Sequence, residues 1–281
     1  MINKLLYLGP SGSYCESAIK KFSKYYSENC KFEAVESIYK IINTLKDSNN
    51  ENIAAVIPLE NSIEGIVRDT QDGLINLSQK DIRTLAETTL PIEHSLISYG
   101  KKEDIKTITS HPQALAQCRE YIYKTWGDNI ELKPVLSTSN AVSSLTQNDV
   151  TVAAIGNNNC ANLYKVPIID SKINDEDNNT TRFILLSMKK PEKNNNNNKV
   201  CITFSTENKP GALNQVLSIL ENHSLNMSYI SSRPSRRELG EYIFYVDFYG
   251  HIEDANVHIA LREILPYIKT FEILSEGAVC I

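Results

Sequence analysis

The chain has 281 residues, 41% hydrophobic and 22% charged, with a formal net charge of −5. That length holds two or three folded units, and the acidic balance gives no electrostatic reason to expect nucleic acid or an anionic membrane as a partner. The six cysteines are scattered without a CxxC pair and the five histidines show no metal-ligand spacing, which reads as a cytoplasmic protein with reduced thiols and no bound metal.

In chain order, Leu5 to Leu8 reads as a short buried strand that runs straight into Gly9-Pro10-Ser11-Gly12-Ser13. An apolar start this short is not a signal-peptide core. A helix is expected over 16–26 and a strand over 53–57. Behind that strand, Pro58-Leu59-Glu60-Asn61-Ser62-Ile63-Glu64-Gly65 packs two carboxylates, an amide and a hydroxyl together. Ser110-His111-Pro112-Gln113 opens a helix expected over 112–126, with Leu115, Cys118 and Ile122 on one face. A strand ends at Val135-Leu136, and Ser137-Thr138-Ser139-Asn140 leads into a helix over 141–146. A strand over 152–155 passes through Gly156-Asn157 into a helix over 157–164. Asn178-Asn179-Thr180-Thr181-Arg182-Phe183 precedes the apolar run Ile184-Leu185-Leu186. Strands alternating with helices imply open α/β sheets.

The tract 191–199, with asparagine at 194–198, has no apolar area to bury and reads as a solvated linker. After it the pattern changes. Strands are expected over 200–205, 227–233, 242–249 and 270–274, with helices over 211–221 and 256–265. The second helix repeats apolar residues at Val257, Ala260, Leu261, Ile264 and Leu265. The order βαββαβ is the ferredoxin-like plan.

In open α/β sheets, ligands bind beyond the carboxyl ends of the strands, where helix N-termini favour anions. Any one of the four polar junctions in the first 190 residues, taken alone, is ordinary helix capping. Several converging on one cleft would hold a small polyanion without lysine or arginine. Gln113 and Gln117 are four apart and share a helix face with such a junction. The glycine loop lacks both the GK[ST] ending and the GxGxxG spacing, so it is no phosphate loop.

At these residues the chain resembles the prephenate dehydratase family. Leu8 to Ser13, Pro58 to Gly65, Ser110 to Cys118, Ser137 to Ala141, Ala153 to Asn157 and Thr181-Arg182-Phe183 resemble six motifs in that family's order. Pro210-Gly211-Ala212-Leu213 and Ser231-Ser232-Arg233-Pro234 resemble motifs of an ACT regulatory domain, with Ser231 where a glutamate is usual. No mutase-like segment precedes Leu5, as in the monofunctional form.

The resemblance implies a two-lobed catalytic domain over 1–190, of the type II periplasmic-binding-protein kind, and an ACT domain over 200–281. Lobe 1 is expected over 1–75 plus 155–190 and lobe 2 over 76–154. The implied reaction is the decarboxylating dehydration of prephenate to phenylpyruvate, which needs no cofactor because aromatisation drives it. Thr181 is implied in catalysis, with Glu60, Glu64 or His111 as alternative proton sources. Substrate binding is expected of Ser11, Gly12, Ser13, Asn61, Ser110, His111, Gln113, Gln117, Thr138, Ser139 and Phe183. Arg182 either pairs with a substrate carboxylate or braces the cleft through Glu60 or Glu64. An L-phenylalanine effector site is expected from Gly211, Ala212, Leu213, Asn226, Ser228, Ser231, Ser232, Arg233 and Pro234, in a homodimer or homotetramer. Two alternatives stand beside this reading: an arogenate dehydratase and a non-catalytic carboxylate-binding module.

Overall fold

A computed structural model of the chain describes every residue except 49, 79–80, 195–196 and 236–239, and all described side chains but that of residue 78. It opens with β1 (Ile2–Leu8), α1 (Tyr14–Ile19), β2 (Tyr26–Val35), α2 (Ile38–Ser48), β3 (Ile53–Asn61), β4 (Gly65–Ile66), α3 (Arg68–Ser78) and β5 (Arg83–Pro91). A second group follows: β6 (Ser95–Ile97), β7 (Thr107–Ser110), α4 (Pro112–Gln117), α5 (Arg119–Trp126), β8 (Glu131–Pro134), α6 (Thr138–Ser143), β9 (Val152–Gly156), α7 (Asn158–Tyr164) and β10 (Ile168–Ser171). After β11 (Thr180–Ser187), the last part holds β12 (Asn198–Ser205), α8 (Ala212–Asn222), β13 (Met227–Pro234), β14 (Tyr242–Tyr249), α9 (Ala255–Ile264) and β15 (Thr270–Cys280).

Two sheets result. One runs β13-β14-β12-β15-β5-β11-β3-β1-β2, with β4 paired to β3, and the other runs β10-β6-β9-β7-β8. The first 190 residues therefore form two α/β lobes, each with its own apolar core. The lobe boundaries differ from the sequence expectation. β5 pairs with β11 over its whole length and β10 pairs with β6, so the chain changes lobes at 92–94 and at 172–179, not near 75 and 155. Strand pairing is non-local, and alternation along the chain does not record which sheet a strand joins.

Two helices also depart from expectation. The first starts at Tyr14, capped by Ser13, and tightens into a 3-10 turn (Lys20–Tyr25) in which Phe22 leaves helical geometry. The helix expected over 112–126 breaks at Cys118 (φ −122°, ψ 19°). There the Asp175 carboxylate accepts from the backbone N–H groups of Glu120 and Tyr121 (3.0 and 3.2 Å), and Asp175 N donates to Gln117 O (2.8 Å). A carboxylate at the start of α5 caps it from 55 residues away, a contact invisible in the local pattern.

The last part has the βαββαβ order of an ACT domain, and it is not a loosely tethered bead. One face of its sheet carries α8 and α9. The other face buries Tyr245 and Leu274 against Leu59, Leu74 and Ile184 of lobe 1. β15 runs past its expected end at 274 and pairs in parallel with β5 through Val279 and Cys280. The last asparagine of the tract is not solvated as composition suggested. Asn198 is buried and its amide donates to Gly277 O (2.6 Å) and Glu192 O (3.1 Å) while its oxygen accepts from Asn194 N (2.7 Å). Asparagine carries its own donor and acceptor, so it can enter a sheet where its partners are preset. No described helix is long and apolar enough to cross a membrane.

Candidate active site

The two lobes face each other across a cleft of about 420 Å³. Lobe 1 contributes the loop after β1 (Gly9, Ser13, Tyr14), the end of β3 (Pro58, Asn61) and the start of β11 (Thr181, Phe183). Lobe 2 contributes His111, Gln113 and Gln117 from α4 and its cap, and Leu136, Ser137 and Thr138 around the start of α6. Ile92 and His94 enter from the first crossing segment. The crossings are tied together: Asn174 Nδ2 donates to Ile92 O (2.9 Å), its Oδ1 accepts from His94 N (2.6 Å), and Ile92 N donates to Asn179 O (2.8 Å).

Strand pairing positions the centre of the cleft. Thr181 on β11 lies directly opposite Asn61 on β3, which brings the two side chains onto one face. Asn61 Nδ2 donates to Thr181 Oγ1 (2.9 Å) and to Asn179 Oδ1 (2.7 Å), while its Oδ1 accepts from the backbone N–H groups of Ile63 and Glu64 (3.0 Å each). Both Thr181 and Asn61 are buried. Thr181 Oγ1 is an acceptor from Asn61, so its own proton is left to point into the cleft. Asn61 lines the cleft with its polar atoms committed to protein partners.

Gln117 is the other anchor. Its Oε1 lies 3.0 Å from Asn179 Nδ2 and 3.0 Å from His94 Nε2, and its Nε2 lies 3.4 Å from Glu64 Oε1. An amide oxygen only accepts, so His94 carries its proton on Nε2. Burial pushes the His94 pKa down, with the hydrogen bond to Gln117 opposing, and Nδ1 has no partner. Protonating it would bury a charge with nothing to receive it. His94 and Asn179 were not singled out by sequence reasoning, although Asn179 stands in the polar run before Thr181.

Several expected contacts lie elsewhere. The Gly12 N–H donates to Glu16 Oε2 (2.5 Å), and Ser11 Oγ pairs with the Tyr7 hydroxyl (3.2 Å). Gly12 instead docks the lobes: Asn157 Nδ2 donates to Gly12 O (2.8 Å), and a Cβ on Gly12, which has φ +83°, would stand 2.7 Å from Cys160 Sγ. Ser110 Oγ donates to Ile155 O (2.6 Å) and Ser139 Oγ pairs with Cys160 Sγ (3.1 Å), both fully inside lobe 2. Glu64 is exposed at the rim, where it meets Gln117.

Glu60 and Arg182 point away from the cleft. Alternation along β3 and β11 puts them on the opposite face from Asn61 and Thr181, where the ACT domain packs. Arg182 Nε donates to Glu87 Oε2 (2.8 Å), and Nη2 pairs with the same carboxylate. Arg182 Nη1 reaches Asp247 Oδ2 on β14 at 2.6 Å, and Lys199 Nζ on β12 reaches Glu87 Oε1 at 2.7 Å. Glu60 lies 3.9 Å from Arg182. Arg182 is thus a brace between catalytic lobe and ACT domain. The partners anticipated were Glu60 or Glu64; the close ones are Glu87 and Asp247.

Burial raises the Glu60 pKa, with Arg182 only partly offsetting it, but the carboxyl faces the wrong side to serve the cleft. Burial would also raise that of Glu87, yet Arg182 and Lys199 outweigh it and hold the carboxyl below its ordinary range. A group depressed in the folded state stabilises at pH above its unfolded pKa, and that contribution disappears as pH falls through the folded value. Wild-type protein should therefore lose its stability advantage over Glu87→Gln as pH drops below the usual carboxylate range. Thermal melts between neutral pH and pH about 3 check this; an advantage that grows in acid would contradict it.

In the ACT domain, Gly211 caps α8 in the left-handed region (φ +79°), and Ala212 is buried beneath the helix start. Asn226 lies in a groove along α8, with Asn214, Leu217 and Met227. Ser231 and Arg233 do not open onto that groove. Gln71 Nε2 donates to Ser231 Oγ (2.7 Å) and Arg233 Nη2 to Asp72 Oδ2 (3.1 Å), both on α3 of lobe 1. Ser228, Ser232 and Pro234 are exposed along the edge strand β13. One copy of the chain does not gather the nine expected effector residues into one pocket.

Comparison with known proteins completes the picture. The prephenate dehydratase family profile matches residues 5–191, and the ACT domain profile matches residues 202–263. A prephenate dehydratase from Methanocaldococcus jannaschii is 43% identical over 272 residues, covering 96% of this chain and 94% of that one. The crystal structure of prephenate dehydratase from Arthrobacter aurescens in complex with L-Phe superimposes with a TM-score of 0.85 at 27% identity, over 98% of this chain and 90% of that one. The enzyme from Staphylococcus aureus gives 0.81 at 26% identity, over 98% and 99%. The chain belongs to the prephenate dehydratase family, with the family's catalytic domain followed by an ACT domain.

Proposed function

We propose that the cleft binds prephenate and that Thr181 donates the hydrogen bond that carries off its C4 hydroxyl as the ring carboxylate leaves as CO2. The observation that carries this reading is the Asn61 Nδ2 to Thr181 Oγ1 bond of 2.9 Å. It makes the threonine oxygen an acceptor from the protein and frees its proton for the substrate. The same bond stabilises charge on that oxygen as the proton shifts toward the departing hydroxide. A threonine hydroxyl is a very weak acid, so the proton is replaced from the open side of the cleft, where His111 lines the wall and Glu64 meets Gln117. Gln113, Gln117 and Thr138 supply the neutral donors for two carboxylates, while Ser13 Oγ spends its proton on Leu8 O (3.0 Å). The apolar walls of Val67, Ile92 and Phe183 suit the ring as it becomes aromatic. Incubation with prephenate should release CO2 and phenylpyruvate in equal amounts, faster than arogenate gives phenylalanine. Binding without CO2 would point to the carboxylate-binding module instead, and preference for arogenate to the aminated substrate.

The regulatory reading extends this to L-phenylalanine as effector and to a homodimer or homotetramer in the cytoplasm. It is supported by the ACT domain, by six unpaired thiols, and by the separation of Gly211 from Asn226, which a second copy meeting the edge strand β13 would bridge. Gly211 has open space at its Cβ position, so only its φ of +79° resists substitution. A β-branched residue cannot hold that angle cheaply. Gly211→Val should reorient the first turn of α8 and raise the half-inhibitory phenylalanine concentration by about tenfold or more. Unchanged phenylalanine sensitivity in a folded variant would refute this placement.

A further inference from the structure

We propose that Asn179 is a positioning residue that carries the amide polarity fixed at Asn61 across the cleft, so that Gln117 turns its NH2 toward the substrate. The inference rests on the dehydratase reading above.

The polarity of the amide chain is fixed at its Asn61 end. Backbone N–H groups of Ile63 and Glu64 can only donate, so the Asn61 atom 3.0 Å from each is its oxygen. Asn61 must then donate through Nδ2 to Asn179 Oδ1 (2.7 Å). With its oxygen committed, Asn179 turns Nδ2 to Gln117 Oε1 (3.0 Å), where His94 Nε2 also arrives (3.0 Å). Two donors on that oxygen leave the Gln117 NH2 group for the cleft, with one of its protons toward Glu64 Oε1 at the rim (3.4 Å) and the other open. Asn179 is only 2% exposed, so water cannot replace either partner. Placed on the second crossing segment, it connects Asn61 of lobe 1 to Gln117 of lobe 2.

Asn179→Asp keeps the shape and reverses one polarity. The introduced carboxylate still accepts from Asn61 but meets Gln117 Oε1 as a second acceptor. The Gln117 amide then rotates and presents its oxygen to an anionic substrate. At pH 8 the expected result is a KM raised by about 30-fold. Asn179→Ala leaves Gln117 held by His94 alone and should raise KM less. Burial raises a carboxyl pKa, so lowering the pH toward 6 should protonate the introduced carboxylate, restore an O–H donor, and move the variant's KM back toward that of the wild type. A KM within about threefold of wild type in N179D, an alanine variant impaired as much as the aspartate variant, or a pH-independent ratio of variant to wild type overturns the proposal. If N179D does not fold by circular dichroism, an unchanged KM in folded N179A overturns it equally, and a raised one supports it. Wild-type protein that makes no phenylpyruvate would sink the dehydratase reading itself, a failure distinct from an active N179D.

Discussion

Thr181→Val should lower kcat by roughly a thousandfold while leaving KM and thermal stability nearly unchanged. Valine keeps the branched shape and the strand pairing opposite Asn61 but removes the hydroxyl proposed to meet the leaving group. On the proposed placement the substrate carboxylates are held by Gln113, Gln117 and Thr138, so binding should survive. Thr181→Ser restores the hydroxyl with one more rotamer to freeze and should recover most of the rate. Steady-state kinetics on the folded variants test this. A valine variant within about tenfold of wild-type kcat would remove Thr181 from the chemistry.

Arg182→Met should do the reverse: large loss of stability, little change in KM. Arg182 is tied to Glu87 and Asp247, both almost fully buried. Removing the guanidinium leaves Asp247 without it and Glu87 with only Lys199. Breaking one side of a buried charge cluster costs about 3–5 kcal/mol, because the remaining charges stay out of water. The same loss frees β14 of the ACT domain from β11, the strand that carries Thr181, so the response to phenylalanine should weaken. Urea denaturation and kinetics with and without phenylalanine check both. A strongly raised KM at unchanged stability would instead make Arg182 a substrate contact.

Neighbours in sequence take opposite roles here, and that bounds what the sequence alone can tell. Thr181 and Arg182 are adjacent in a strand, as are Glu60 and Asn61, and strand alternation sends adjacent residues to opposite faces. That rule was available from the apolar run after Phe183, but it could not say that an ACT domain covers the second face. The partners Glu87 and Asp247 lie 95 and 65 residues away and have no local signature. The family motifs named Asn61, Gln117 and Thr181, and the structure brings all three to one cleft. Motifs do not give a side chain's hydrogen-bond partners, and those of Asn61 and Ser110 lie within the protein. His94 lay in an ordinary strand connection, and only its 3.0 Å approach to Gln117 marks it. The ferredoxin-like plan was legible because its helices have a strong apolar stripe. The lobe boundaries were not, because they depend on which distant strand accepts β5 and β10.

Everything turns on where prephenate lies relative to Thr181 and Gln117. A crystal structure of Thr181→Val, slowed enough to hold prephenate, answers that directly. The account predicts the C4 oxygen in van der Waals contact with the new valine, within about 4 Å, and a substrate carboxylate within about 3.2 Å of Gln117 Nε2. Prephenate bound with its C4 oxygen facing another wall, and no atom touching Gln117, would contradict it.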